Sequence, residues 1–126
     1  MHRMPAPMVL VVEDDPVILR LLEVNFELEG FTVLLAHDGA EGIEVARTQH
    51  PDVVISDIMM PHTSGLELVT VLKADPDTKA IPIILLSAKA QTGDLKVGMD
   101  AGADDYVTKP FEPLDLVGRV NELLTR

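Results

Sequence analysis

The sequence lacks cysteine altogether and is poor in basic residues. Without cysteine, disulfide bonds and thiolate-bound metal sites are excluded. Lysine and arginine number 10 against 21 aspartate and glutamate residues, which gives a formal net charge of -11. This balance argues against nucleic acid as a direct partner, because a phosphate backbone requires a basic surface. It is compatible with metal cations or with a basic surface on another protein.

Long apolar runs are missing as well. No run approaches the roughly 18 residues of a membrane span, so no membrane association is expected. Residues 1–7 lack the apolar core of a secretory signal, and we expect a flexible lead-in there, with the cytoplasm as the compartment. Residues 8–126 are expected to form one domain, long enough to bury a hydrophobic core.

Short apolar runs alternate with helical patterns along the rest of the chain. Five strands are predicted, at about 8–12, 31–36, 53–55, 81–86 and 105–108. Capping residues or proline mark helix starts at Asp15-Pro16, Asp38, Ser64 and Pro113, and a less apolar helix is predicted at about 93–101. This alternation predicts an α/β fold, with a parallel sheet, helices on both faces and right-handed crossovers.

Helical periodicity also predicts which side chains of the first and last helices face the core. The predicted residues are Ile18, Leu21, Leu22, Leu28, Leu114, Val117, Val120 and Leu124. Gly98 weakens the prediction of the helix at 93–101, because glycine is a poor helix former.

Four of the five predicted strands end, at the carboxyl side, in residues capable of chemistry. These residues are Glu13, Asp14, Asp57, Ser87 and Lys109. Parallel strands bring such endings to one edge of the sheet, where open α/β sheets bind their ligands. Three carboxylates brought together need a cation, and a ligand set made only of hard oxygens favours Mg²⁺.

Asp57 is the candidate nucleophile of this arrangement, because a carboxylate can form an acyl phosphate. Lys109 offers a compact positive charge and Ser87 a hydroxyl donor, and both suit phosphoryl oxygens. Taken alone, Asp57 could equally well cap a turn. Asp15 is best explained as a helix N-cap rather than as a metal ligand.

Five sequence blocks resemble the signature blocks of bacterial response-regulator receiver domains. They are VVEDD at 11–15, SDIMMP at 56–61, LSA at 86–88, AGADDY at 101–106 and YVTKPF at 106–111. The resemblance extends from about Met8 to Leu124. It implies a flavodoxin-like fold, which is a doubly wound five-stranded parallel sheet of order 2-1-3-4-5 with five helices. It also implies that Asp57 accepts a phosphoryl group from the phosphohistidine of a sensor kinase.

The resemblance assigns a role to each candidate residue of the metal site. Asp14 and Asp57 would bind Mg²⁺ through their side chains, and Met59 would do so through its backbone carbonyl. Glu13 would act mainly through a bound water molecule. Lys109 would pair with the phosphoryl group.

A switch and a set of partners are implied in the same way. Ser87 would move to bond the phosphoryl group, Tyr106 would turn inward, and Lys109-Pro110 would be a cis peptide. The helix at 93–101, the Tyr106 strand and the final helix would form the surface for a partner or a homodimer. The expected phosphodonor is a sensor histidine kinase or a histidine phosphotransfer protein. The expected output is a protein target or a covalently linked output domain.

Some positions depart from the family pattern. Glu13 stands where many members have aspartate, and Ser87 stands where threonine is common. Met59 has no polar group to orient a hydrolytic water, and Lys89 occupies the other position that tends to affect hydrolysis in this family. The sequence therefore predicts slow self-dephosphorylation, with a half-life well beyond seconds.

Three other functions compete with this interpretation. A receiver-like interaction domain that is never phosphorylated is one alternative, although the acidic residues and Lys109 argue against it. An aspartate-nucleophile Mg²⁺ phosphatase would need a second acid two residues after Asp57, where Met59 stands. A flavin-binding module would need a glycine-rich phosphate loop where Glu13-Asp14-Asp15 stands. The favoured interpretation is a signalling domain rather than a turnover enzyme.

Overall fold

The computed structural model describes residues 6–60, 62–88 and 92–125, with only the backbone described for 92–95. Strands and helices alternate through these ranges. The strands are β1 (Met8–Val12), β2 (Thr32–Ala36), β3 (Val53–Asp57), β4 (Ile83–Ala88) and β5 (Asp105–Lys109). The helices are α1 (Pro16–Leu28), α2 (Gly39–Gln49), α3 (Gly65–Ala74), α4 (Thr92–Ala101) and α5 (Pro113–Leu124). None of the helices in these ranges has the length and apolarity that a membrane crossing requires.

All five strands lie in one parallel sheet of order β2-β1-β3-β4-β5, which confirms the predicted α/β fold. β3 is the middle strand, between β1 and β4, and its register with β1 sets Val12 opposite Ser56. β3 is buried at all five positions. Its carboxyl end therefore lies at the centre of one edge of the sheet.

The hydrophobic core has two layers, one on each face of the sheet. Val9 and Val11 of β1 contribute to the layer that α1 and α5 cover, whereas Leu10 and Val12 contribute to the layer under α2 and α3. Successive residues of a strand point to opposite faces, so a strand covered on both sides must be apolar throughout. This explains the unbroken apolar runs in the sequence.

Three helix starts follow the capping pattern that the sequence predicts. The carboxylate of Asp15 accepts a hydrogen bond from the Val17 amide at 2.9 Å, and that of Asp38 accepts one from the Glu41 amide at 2.8 Å. Ser64 Oγ accepts one from the Glu67 amide at 3.2 Å. Each cap satisfies an amide that has no partner inside its helix.

The predicted inward faces of α1 and α5 were partly wrong. Leu21, Leu28 and Leu114 are exposed, with 42%, 77% and 65% of their surface accessible. The buried stripe of α1 is Leu19, Leu22 and Phe26, and that of α5 is Leu116, Val117 and Val120. At 3.6 residues per turn, the three exposed leucines fall well outside these stripes.

Gly98 has a packing role that the sequence did not reveal. A Cβ at this position would collide with Leu85 Cδ1 of β4 and lie 3.1 Å from Leu66 Cδ2 of α3. The absent side chain lets α4 pack closely against the sheet. Helix propensity is therefore outweighed here by tertiary contact.

Candidate functional site

The three predicted carboxylates lie together at the carboxyl edge of the sheet. Glu13 and Asp14 follow β1, and Asp57 ends the neighbouring strand β3. One carboxylate oxygen from each residue lies within 4.8 Å of the others. Glu13 is fully buried and Asp57 is 6% exposed, whereas Asp14 is exposed. The cluster therefore has a buried inner wall and one side open to solvent.

Lys109 completes the inner wall. It ends β5, and its side chain reaches past β4 to two carboxylates. The Nζ atom donates hydrogen bonds to Glu13 Oε1 at 2.8 Å and to Asp57 Oδ2 at 3.1 Å. The ammonium thus holds two buried acids in a fixed orientation.

The electrostatics of the site show an excess of negative charge. Burial raises the pKa of Glu13 to about 7, and the neighbouring Asp57 carboxylate acts in the same direction, while the hydrogen bond from Lys109 opposes it. Burial alone would lower the pKa of Lys109, but its bonds to Glu13 and Asp57 outweigh burial and raise it. Among the described residues, one lysine therefore lies beside three acids, and negative charge exceeds positive charge in this part of the site.

This donor set fits a hard divalent cation. Carboxylate oxygens are the ligands that Mg²⁺ prefers, and Mg²⁺ binds through a few carboxylates while keeping other positions for water or phosphate. The open side at Asp14 gives a solvated ion a route of entry. A divalent cation would also balance the charge that Lys109 leaves uncompensated.

Ser87 lies beside the cluster but is not bonded to it. Leu86 pairs with Asp57 in the sheet, and Ser87 is the next residue of β4. Its Oγ is buried and donates a hydrogen bond to the carbonyl of the adjacent Ala88 at 3.0 Å. The hydroxyl is therefore held by a local bond only one residue away in sequence.

The other predicted residues that the structure describes lie on β5 or just after it, in the loop after β3 and just before α1. Tyr106 is 42% exposed, so its ring is not turned inward in this state. The Lys109-Pro110 peptide is cis. Met59 follows Asp57 in the loop between β3 and α3 and is exposed. Asp15 caps α1, whereas Lys89 lies outside the described residues.

Gly65 was missed by sequence reasoning, although it contacts the backbone of Asp57. A Cβ at Gly65 would collide with the Asp57 carbonyl oxygen and lie 2.9 Å from Ile58 Cα. Its amide donates to the Ile58 carbonyl at 2.9 Å. One signal in the sequence could have indicated this contact. Glycine follows the capping residue Ser64 directly, at a helical position where most other residues would stabilise the helix better.

A family model described as the response regulator receiver domain matches residues 9–121. The chain belongs to this family. The receiver is 41% identical over 118 residues to the DNA-binding response regulator MtrA of Mycolicibacterium smegmatis, covering 94% of this chain and 50% of that protein. It is 42% identical to the transcriptional regulatory protein CseB of Streptomyces avermitilis, with 94% and 49% covered. The chain spans about half the length of these curated relatives.

Solved structures also resemble this receiver. The receiver domain of the Francisella response regulator 1452 superposes with a TM-score of 0.87 at 38% identity, covering 95% of this chain and 98% of that one. The receiver domain of the sensor histidine kinase PA1611 from Pseudomonas aeruginosa superposes with a TM-score of 0.89 at 29% identity, covering 96% and 99%. That structure contains a magnesium ion in its active-site cleft. The fold is therefore that of a two-component receiver, and its sheet carries an acidic cluster at the carboxyl edge.

Proposed function

We propose that this receiver accepts a phosphoryl group on Asp57 in a Mg²⁺-dependent reaction, as the phosphoacceptor of a two-component phosphorelay. The observation that carries the proposal is the Asp57 carboxylate at the sheet edge, bonded to Lys109 and within 4.8 Å of the Glu13 and Asp14 carboxylates. A carboxylate held this way is oriented but still reachable, because Asp14 leaves one side open.

In the proposed reaction, an Asp57 carboxylate oxygen attacks phosphorus and forms a new P–O bond. The P–N bond of a phosphohistidine breaks, and its electron pair leaves with the imidazole. From acetyl phosphate, a P–O bond breaks instead and acetate leaves. The Lys109 ammonium, which donates a hydrogen bond to Asp57 Oδ2, would stabilise the negative charge on the phosphoryl oxygens.

Asp14 and Asp57 would hold Mg²⁺ with their side chains, and Met59 would do so with its backbone carbonyl. When bound, Mg²⁺ supplies neutralisation of the charge on the transferring phosphoryl group. Glu13 would contribute mainly through a bound water, since its Oε1 is already engaged by Lys109. Its second role is to fix the position of that lysine.

Ser87 and Tyr106 would transmit the modification to the surface. The Ser87 hydroxyl would exchange its local bond to Ala88 for a phosphoryl oxygen, because a charged acceptor forms the stronger hydrogen bond. The Tyr106 ring, now partly exposed, would turn inward. The face formed by α4, β5 and α5 would thereby change its affinity for a target, an output domain or a second receiver.

The proposed phosphodonor is a sensor histidine kinase or a histidine phosphotransfer protein. Because named relatives of about twice this length are DNA-binding regulators, a linked output domain is part of the proposal. The net charge of -11 supports the proposal that any contact with nucleic acid is made by the linked domain rather than by this one.

The test is the intact mass after incubation with Mg²⁺ and acetyl phosphate, with Asp57→Ala as the control. We expect a gain of one phosphoryl group, about 80 Da, in the wild type alone, and no gain in the presence of EDTA. No gain in a folded wild type would favour the interaction domain that is never phosphorylated. Steady hydrolysis of a small phosphate ester would instead favour the phosphatase.

A further inference from the structure

Gly39 is the first residue of α2 and packs against the loop that joins β3 to α3. A Cβ at this position would collide with the backbone carbonyl oxygen of Thr63. It would also lie 2.7 Å from Thr63 Cγ2 and 2.9 Å from the Thr63 carbonyl carbon, which is closer than real Cβ atoms approach. The φ angle of Gly39 lies outside the left-handed region. Glycine is therefore required here by space and not by backbone conformation.

The helix itself gains nothing from this glycine. Asp38 already caps α2, and glycine is among the poorest helix formers. Gly42, one turn later, provides a contrast, because the three atoms nearest to a Cβ there all belong to side chains, with Val12 Cγ2 at 2.8 Å and Leu68 Cδ1 at 3.0 Å. The end of a flexible side chain, such as Leu68 Cδ1, can shift without moving the backbone. The Thr63 carbonyl can move only if the loop backbone moves with it.

The loop that Gly39 contacts begins directly after Asp57 and carries the proposed metal ligand Met59. Its described backbone is contacted from two sides, at Thr63 by Gly39 of α2 and at Asp57 and Ile58 by Gly65 of α3. His62 within it has a φ of 66°, which is unfavourable for a residue with a side chain. Such a backbone persists only when its neighbours impose it.

We infer that Gly39 is a positioning residue for the metal site, and that the first turn of α2 is the support that fixes the β3–α3 loop. A side chain at position 39 would push Thr63 outward and displace the backbone between Asp57 and α3. The Met59 carbonyl would then lie out of place relative to the Glu13, Asp14 and Asp57 carboxylates. This inference rests on the proposed Mg²⁺-dependent function.

The test compares Gly39→Ala with Gly42→Ala and wild type. Both substitutions add one methyl group to the same helix, but only the first presses on the loop backbone. Mg²⁺ affinity is measured by calorimetric titration, and amide chemical shifts of Ile58, Met59 and Thr63 are recorded in metal-free protein. We expect Gly39→Ala to weaken Mg²⁺ binding by about tenfold, which is typical when a residue that orients metal ligands is replaced. We expect Gly42→Ala to retain wild-type affinity even if it unfolds at lower urea concentration.

If Gly39→Ala does not fold, Asp38→Ala provides an independent perturbation. It removes the hydrogen bond from the Glu41 amide and should fray the first turn of α2. A frayed first turn would no longer pack against Thr63, so the loop would lose its support without being pushed outward. The substitution should also weaken Mg²⁺ binding and shift the same three amides. Wild-type Mg²⁺ affinity in whichever of these two variants folds would overturn the inference, as would an equal loss in Gly42→Ala. A wild-type protein that binds no Mg²⁺ would instead refute the proposed function itself.

Discussion

The stability of the metal-free receiver should fall as the pH rises from about 5 to about 7, because of Glu13. Its carboxyl is fully buried, and burial raises its pKa from 4.5 to about 7. Between these values the folded state binds a proton that the unfolded state has released. Stability that is fully present below pH 4.5 is therefore lost as the pH rises through about 7.

The magnitude follows from the two pKa values. Each pKa unit corresponds to about 1.4 kcal/mol, so Glu13 accounts for a loss of at most about 3 kcal/mol in the free energy of unfolding. Lys109 does not oppose this change. Its pKa is raised in the folded state, so its contribution is constant through this window and is lost only in strongly alkaline solution.

The assay is urea unfolding in EDTA at pH 5, 6, 7 and 8, followed by far-ultraviolet circular dichroism, since the chain has no tryptophan. Glu13→Gln is the matched control, because it keeps the shape of the side chain and removes the titrating group. Comparing the two proteins cancels the titration of groups that do not interact with Glu13. Saturating Mg²⁺ should also flatten the wild-type profile. Equal slopes for wild type and Glu13→Gln in EDTA would refute the reasoning.

Four further predictions concern the site and the helices around it. Lys109→Met should slow phosphorylation by acetyl phosphate by on the order of 100-fold yet tighten Mg²⁺ binding, because a competing cation is removed; weaker binding in calorimetry would contradict this. Gly98→Ala should lower the free energy of unfolding by up to about 2 kcal/mol, since overpacking against Leu85 outweighs better helix propensity. Gly118→Ala should raise the free energy of unfolding by up to about 1 kcal/mol, because no atom lies within 4 Å of a Cβ there and alanine is the better helix former. Met59→Asn should accelerate loss of the phosphoryl mass, and an unchanged decay rate would count against slow hydrolysis at this position.

Much of the fold was predictable because its signals are local. The apolar run of β3 and the capping residues Asp38 and Ser64 depend only on neighbours within a few residues. The exposed leucines of α1 were harder to place, because Leu21 and Leu28 are as apolar as the buried Leu22. Their exposure depends on which side of the helix meets the sheet. Apolar residues on several sides of α1 leave that side undefined in the sequence pattern.

The sequence by itself determined that acidic residues end two buried strands and that a lysine ends a third. Parallel strands bring their carboxyl ends to one edge of the sheet, so Glu13, Asp14 and Asp57 had to lie at that same edge. Only the tertiary structure decided that Lys109 crosses β4 to bond both Glu13 and Asp57, and that burial raises the pKa of Glu13. The same holds for Gly39 and Gly65, which support the loop after Asp57. Such contacts join residues far apart in sequence, and their distances depend on how strands and helices pack together.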